Sequence, residues 1–162
     1  MQQLYAIGER KPIEIPVDKN EPTLSAPTLP ARFQSSIIFD QYALPTNVAQ
    51  HGQALVVIFT WRISAVIDKD YSIFAHLVDA NDKIIAQQDT LLASAGDTVT
   101  HWHPMRSYVD AIVLPIEAGT TPGTYRLEIG LYDATTLERL LIEDRSGQPG
   151  RDTIVIEPIE VK

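Results

Sequence analysis

Apolar and polar residues alternate at every second position over much of the chain from Phe33 onward, as in β-strands with one buried face. The clearest strand follows Pro122 and Gly123, which suit a tight turn because proline presets φ and glycine can adopt φ > 0. One side of this strand carries Tyr125, Leu127, Ile129 and Leu131. A tyrosine directly after such a corner is typical of immunoglobulin-like sandwiches, so its hydroxyl is expected to bond to backbone within residues 116–121.

A second strong strand, at residues 54–61, is apolar at both odd and even positions, which predicts a central strand covered on both faces. Its bulkier side should share a core with the first strand, formed by Leu55, Val57, Phe59, Trp61, Tyr125, Leu127, Ile129 and Leu131. Further strands are predicted at residues 33–44, 71–79, 83–90, 108–114, 138–143 and 153–161. Residues 91–105 are irregular, with at most one helical turn at 91–95. This pattern predicts an all-β fold, an immunoglobulin-like antiparallel β-sandwich of about eight strands.

The first 31 residues differ from the rest because prolines interrupt them at positions 12, 16, 22, 27 and 30. This spacing forbids a helix and limits any strand to a sheet edge, for which Ile13, Ile15 and Val17 are the candidates. The segment is interpreted as a lead-in across the domain surface or as a linker from an upstream domain. The predicted organisation is therefore a proline-rich lead-in at 1–31 and a β-sandwich domain at 32–162.

Charge and composition limit the classes of partner. The 13 basic and 21 acidic residues give a net charge of −8, which disfavours nucleic acid and anionic membrane surfaces. The chain contains no cysteine, which excludes disulfides, thiolate nucleophiles and cysteine metal sites. No run of 18 apolar residues occurs, so we expect no membrane insertion by this segment itself.

Four phrases of sequence, taken in order, carry a resemblance to a known family. They are Phe-Thr-Trp-Arg at 59–62, Tyr-Ser-Ile-Phe-Ala-His-Leu-Val-Asp at 71–79, Ile-Ala-Gln-Gln-Asp at 85–89, and the strand at 122–133. Together they resemble an uncharacterised β-sandwich domain found at the C-terminal end of bacterial multi-spanning glycosyltransferase-like membrane proteins, and the resemblance covers about residues 33–161. It implies an accessory domain outside the cytoplasmic membrane, within a larger membrane-attached protein of the bacterial cell envelope. It implies no catalytic residues and no cofactor.

The irregular segment supplies the candidate ligand-binding residues, which are His101, Trp102, His103, Arg106 and Tyr108. An indole can stack on the apolar C–H face of a sugar, with imidazole, guanidinium and phenol groups as polar contacts. Alternatively, Trp102 caps the edge of the sandwich. His101 and His103 would share a face on a strand and could begin a zinc site, with His76, Asp89 or Asp110 as further ligands. The simpler alternative is that both histidines are loop residues, so no metal is predicted.

His76 shares its strand parity with Phe74 and Val78, and we interpret it as a neutral structural histidine. Asp79, Asp89, Asp110 and Asp133 lie at strand ends or turns, where carboxylates commonly accept backbone N–H bonds. Since no nucleophile and base stand at a recognisable spacing, the domain is predicted to be non-catalytic and to bind a glycan or an envelope protein. Two alternatives stay open, a structural spacer or oligomerisation module and a small metal-dependent hydrolase built on residues 101–110. The oligomeric state is left open.

Overall fold

The structure is a computed structural model that describes residues 29–162. Eleven strands follow one another in this part of the chain: β1 Ala31–Phe33, β2 Ile37–Ala43, β3 Val48–Ala49, β4 Ala54–Ile63, β5 Tyr71–Val78, β6 Ile84–Leu91, β7 Ala93–Ser94, β8 Asp97–Thr98, β9 Tyr108–Pro115, β10 Gly123–Asp133 and β11 Ile154–Val161. A first sheet has the order β1-β2-β4-β9 and a second sheet the order β3-β11-β10-β5-β6, with β7 and β8 as a small separate hairpin. The predicted all-β, immunoglobulin-like sandwich is confirmed.

The core lies between the two sheets, where the inward positions of β4 and β10 meet. All eight residues of the predicted core are buried there: Leu55, Val57, Phe59, Trp61, Tyr125, Leu127, Ile129 and Leu131. The alternation of these two strands therefore predicted the correct faces. Trp61 adds an edge-on contact with Phe39, at 4.7 Å between ring centroids, so this tryptophan is a core residue.

The sequence predicted that β4 would be covered on both faces, but the strand that is covered on both faces is β5. In β4 burial alternates, and outward residues such as Val56 are exposed. In β5 all eight residues are buried, including Phe74 and His76 on the outward face. The chain after β10 accounts for this difference, because Arg139 lies over the Phe74 ring on that face. Tertiary packing, and not the hydrophobicity of the strand itself, decides which strand is covered on both faces.

Several boundaries also differ from the predictions. The predicted strand at 33–44 is divided into β1 and β2 by a 3-10 turn in which Ser35 and Ser36 have φ values of 64° and 68°. The predicted strand at 138–143 is wrong, since the described chain makes only isolated bridges there. Residues 91–95 contain part of the β7–β8 hairpin in place of a helical turn. The sandwich is not wholly antiparallel, because β3 pairs with β11 in parallel.

The predicted lead-in lies almost entirely outside the described residues, as do the candidate edge strand at Ile13, Ile15 and Val17 and four of its prolines. The sandwich itself starts at Ala31, one residue before the predicted boundary. Helical structure between residues 29 and 162 amounts to two three-residue 3-10 turns. No helix of this part of the chain has the length and apolarity needed to cross a membrane.

Tyr125 is a corner tyrosine, as predicted. Its ring is buried, and its hydroxyl donates a hydrogen bond to the backbone oxygen of Thr121 at 2.6 Å. The register of β10 against β11 shifts between Tyr125 and Leu127, so the strand is irregular where it leaves the corner. The hydrogen bond therefore ties the incoming loop to the start of the central strand.

Replacing Tyr125 by phenylalanine is expected to lower the free energy of unfolding by about 1 kcal/mol, because one hydrogen bond is lost while the ring remains. Urea denaturation followed by far-UV circular dichroism measures this change. Tyr132→Phe is the matched control, since its hydroxyl bonds to an exposed carboxylate, that of Asp89, and its loss should cost less. Equal stability of the Tyr125 variant and the unmodified protein would contradict the assignment.

Candidate functional site

The residues predicted to bind a ligand lie at one end of the sandwich, and Trp102 is buried among them. Only 2% of Trp102 is exposed, and its indole N–H donates to the backbone oxygen of Asp97 at 3.0 Å. The indole stacks on Tyr108, with ring centroids 4.3 Å apart and planes 4° from parallel. The prediction of an open stacking platform is wrong, because the tryptophan is part of the core. The alternative, a cap on the sandwich edge, describes its position.

The two neighbouring histidines do not form the pair that a zinc site needs. His101 ends a 3-10 turn, and His103 follows in a loop, so the strand geometry that would align them on one face is absent. Between residues 29 and 162, no group of three or more histidines and carboxylates is placed to hold a metal ion. His101, His103 and Arg106 are exposed. Ligand binding by these three residues stays a prediction.

A groove on the outward face of the second sheet brings together residues that the sequence did not connect. It has a volume of about 310 Å³, and we call it the outer groove. Strand β5 contributes its floor, β6 and β10 its sides, and the chain after β10 its rim. Its lining residues are Phe74, His76, Asp89, Tyr132, Leu137 and Arg139.

Strand register and one glycine create the floor of the outer groove. Phe74 is paired in register with Asp89 on β6 and with Gly130 on β10. A Cβ atom at position 130 would lie 2.5 Å from Cε1 of Phe74 and 2.7 Å from the backbone oxygen of Asp152. The phenyl ring therefore lies flat across the glycine, and only glycine permits this approach. Without it, Phe74 would stand away from the sheet.

The turn after β10 carries the rim back over the sheet. Asp133 is buried, and its carboxylate accepts N–H bonds from Thr135 at 2.9 Å and Thr136 at 3.1 Å. It also accepts a 2.5 Å bond from the Lys69 ammonium group. The Lys69 bond, together with the two backbone bonds, lowers the pKa of Asp133 to about 2. The prediction that this carboxylate accepts backbone N–H bonds is confirmed, and the turn is followed by Leu137 and Arg139, which line the groove.

Arg139 is the charged residue of the rim. Its guanidinium lies 4.4 Å from the centroid of the Phe74 ring, which is a cation–π contact. One of its N–H groups donates to Asp152 at 3.0 Å. Because a guanidinium has five N–H donors in a fixed plane, these two contacts hold the group in place and leave donors for a ligand.

His76 lies at the base of the outer groove and is only 9% exposed. Its Nε2 atom is 3.7 Å from Oδ1 of Asp89, which is too far for a direct hydrogen bond. Burial lowers the pKa of His76, and the nearby Asp89 carboxylate offsets only part of this effect. The imidazole is therefore neutral at pH 7, with one N–H donor and one acceptor nitrogen. The second oxygen of Asp89 accepts a 3.2 Å bond from the Tyr132 hydroxyl.

This lowered pKa predicts that acid destabilises the fold. The unfolded chain has a histidine pKa near 6.5, so below that pH it binds more protons at this position than the folded chain does. The free energy of unfolding should therefore fall as the pH decreases from about 7.5 to about 5. Asp133 does not obscure this effect. The stability that its lowered pKa provides is lost only as the pH falls below the ordinary aspartate pKa of 3.8 toward the value of about 2 in the folded protein.

Urea denaturation at several pH values tests this expectation with His76→Gln, in which the slope between pH 5 and 7.5 should be smaller. His103→Gln is the matched control, because it removes an exposed histidine and should keep the slope of the unmodified protein. An unchanged slope in His76→Gln would show that the acid sensitivity arises elsewhere.

Neither a protein-family model nor a curated protein matches the sequence. The chain is similar to a Niemann-Pick type C2 protein from the Japanese carpenter ant, with 12% identity, a TM-score of 0.45, and coverage of 82% of this chain and 92% of that one. It is similar to the CARDB domain of the PF1109 protein from Pyrococcus furiosus, with 7% identity, a TM-score of 0.43, and coverage of 86% and 95%. It also resembles part of a β-glucosidase from Listeria innocua, with 14% identity, a TM-score of 0.45, and coverage of 81% of this chain but 16% of the enzyme. Likenesses this distant carry no argument about function.

Sequence reasoning missed the outer groove, although part of the signal was present. His76 has the parity opposite to Ile73, Ala75 and Leu77, which places it on the outward face of β5. The outward face of this strand also carries the apolar residues Phe74 and Val78. An apolar outward face with a histidine on it indicates that another part of the chain covers that face. The position of Arg139 in the groove could not be predicted from neighbouring residues. Its segment was predicted to be a strand, and that strand does not form.

Proposed function

We propose that this domain is a non-catalytic accessory module that binds a glycan in the outer groove. The observation that carries the proposal is the meeting of His76, Asp89 and Arg139 in one groove. An imidazole, a carboxylate and a guanidinium can together donate to and accept from the hydroxyl groups of a ligand. His76 lines the groove, and its imidazole makes no direct hydrogen bond to another residue between 29 and 162, so it is available to a ligand hydroxyl.

The other lining groups match the chemistry of a sugar. Hydroxyl groups both donate and accept, and the groove offers the Asp89 carboxylate as acceptor and the Arg139 guanidinium as donor. Tyr132 and the exposed Leu137 supply apolar surface for the C–H face of a sugar ring. A volume near 310 Å³ is at the lower end for ligand pockets, which suits one sugar ring. Weak binding is expected of such an open site.

Charge favours neutral sugars over polyanions. Arg139 and Asp89 contribute opposite charges to the groove, and His76 is neutral at pH 7. The whole chain carries a net charge of −8, which repels anionic ligands at long range. A neutral hexose is therefore the ligand class that the groove accommodates best.

Isothermal titration calorimetry with a panel of neutral hexose mono- and oligosaccharides tests the proposal. Asp89→Asn should weaken binding about tenfold or more, because a hydrogen bond to a charged group contributes ~1.5–3 kcal/mol. Asp97→Asn is the matched control, since it makes the same change at an exposed residue outside the groove. Absence of binding to every sugar at millimolar concentration, or equal weakening in both variants, would overturn the proposal.

We further propose an extracytoplasmic location, within a larger membrane-attached and glycosyltransferase-like protein of the bacterial envelope. The support is the resemblance of residues 33–161 to accessory domains of that kind. Antibodies against this domain should detect, in cells of the source organism, a membrane-fraction protein much larger than 18.0 kDa. The protein should be cleaved by protease added outside intact spheroplasts. A band of about 18 kDa in the cytosolic fraction would contradict this location.

A structural or oligomerisation module is the second candidate, and one surface favours it. The outward face of the first sheet carries the exposed valines Val56, Val109 and Val113 on neighbouring strands. A second copy of the chain is not expected to pair with the edge strand β9, because two of its backbone groups are already bonded. Ser94 donates to the backbone oxygen of Val109, and the Asp110 carboxylate accepts the N–H of Ala111. Analytical ultracentrifugation tests the oligomerisation module, since that function requires a stable dimer that forms without any ligand.

A further inference from the structure

A second cavity begins where the outer groove ends. It has a volume of about 150 Å³ and lies at the end of the sandwich near the 3-10 turn that separates β1 from β2, and we call it the end cleft. Arg139 lines both the end cleft and the outer groove. The two cavities therefore share Arg139 as a lining residue. A ligand longer than one sugar ring would pass over Arg139 from the first cavity into the second.

The end cleft has the features of a built polar site. Ser35 adopts φ = 64°, which is uncommon for a residue other than glycine, and its hydroxyl accepts a 2.8 Å bond from the Tyr71 hydroxyl. Such backbone conformations persist only where the surrounding structure holds them, and they concentrate at functional sites. The buried Asp133 and its partner Lys69 form another wall. The cleft is thus lined by groups whose positions are held by hydrogen bonds.

The charges of the end cleft balance. Lys69 and Arg139 are positive, whereas Asp133 and Glu138 are negative. Lys69 and Asp133 already neutralise each other at 2.5 Å, and Arg139 is bonded to Asp152. Glu138 is exposed, and Lys69 is bonded to Asp133, so the Glu138 carboxylate is the acidic group of the lining that can accept from a ligand hydroxyl. A neutral polar unit fits this arrangement better than a charged one.

We propose that the ligand is a linear, neutral oligosaccharide of at least two units that crosses Arg139. One unit occupies the outer groove, and the next lies over Arg139 and places one of its hydroxyl or hydroxymethyl groups in the smaller end cleft, with Glu138 as an acceptor. This inference rests on the proposed glycan-binding function and adds the length and charge of the ligand. Two weak subsites joined in one ligand bind more tightly than either alone, because the second contact becomes intramolecular.

Calorimetric titration compares glucose, galactose and mannose with their neutral di- and trisaccharides, and trigalacturonate is the anionic probe. The unmodified protein should bind the best trisaccharide about tenfold more tightly than the corresponding monosaccharide. Glu138→Ala should reduce that difference to about threefold or less, because it removes the acceptor of the end cleft, which lines that cleft and not the outer groove. Asp89→Asn should weaken the binding of both ligands. Trigalacturonate should bind more weakly than the neutral trisaccharides.

The outcomes separate this inference from the function on which it rests. Equal affinity for mono- and trisaccharide, with Asp89→Asn still weakening both, would overturn the second subsite and leave the glycan-binding proposal intact. Tighter binding of trigalacturonate would overturn the neutral class of ligand. Absence of binding to every sugar would overturn both proposals. The length dependence is measured on the unmodified protein, so it does not depend on the folding of any variant.

Discussion

Replacing Leu127 by alanine is expected to lower the free energy of unfolding by about 2–5 kcal/mol, the range measured for buried leucines. Leu127 is fully buried in β10, the strand that pairs with both β5 and β11. Its register partners, Leu77 and Ile156, are buried too. Removal of the isobutyl group therefore loses its transfer free energy and leaves a cavity that a paired strand cannot collapse to fill.

Urea denaturation of Leu127→Ala measures this loss, with Leu137→Ala as the matched control. Leu137 is 69% exposed, so the same chemical change there should alter stability by no more than about 0.5 kcal/mol. A loss below about 1 kcal/mol for Leu127→Ala, or equal losses for the two variants, would contradict the placement of the core.

Gly130→Ala is expected to destabilise the protein by about 1–3 kcal/mol, the cost of adding a methyl group to a packed site. The new Cβ atom would overlap Cζ of the Phe74 ring and would lie 2.7 Å from the backbone oxygen of Asp152. Neither neighbour can move easily, because Phe74 is buried and the other atom belongs to the backbone. The expected cost is steric, since Gly130 does not have a positive φ.

Gly119→Ala is the control for this prediction, since nothing lies within 4 Å of a Cβ atom at position 119 and its φ is not in the left-handed region. Its free energy of unfolding should stay equal or rise by up to about 1 kcal/mol, because alanine restricts the unfolded chain. Thermal and urea denaturation of both variants give the comparison. A stable Gly130→Ala protein would mean that Phe74 does not lie across β10, and the outer groove would then lack its floor.

The faces of the two strongest strands could be predicted from the sequence, because alternation is a local property. Side chains at every second position of a strand point the same way, so the inward positions of β4 and β10 follow directly from their order along the chain. The Tyr125 corner was predictable for the same reason, since the turn and the tyrosine lie only a few residues apart. Each of these predictions needed only neighbouring residues.

Features that depend on the path of the backbone could not be decided from the sequence. The sequence left Trp102 open between an exposed platform and a cap on the sandwich edge, and its contacts with Asp97 and Tyr108 make it the cap. The chain at 138–143 has the composition of a strand, yet it makes only isolated bridges, with Tyr132 at the end of β10 and with Phe33 in β1 among its partners. In both cases the backbone path determined the environment of the side chain.

The sequence by itself determined the fold class, the two faces of the central strands and the acidic, cysteine-free character of the domain. Only the tertiary structure decided that β5 is covered on both faces and that His76, Asp89, Tyr132 and Arg139 meet in one groove. These four residues come from three strands and from the chain that follows β10, up to 63 positions apart between His76 and Arg139. Strand alternation reports which way a side chain points, whereas the partner that it meets there depends on sheet order and on the return of the chain over the sheet.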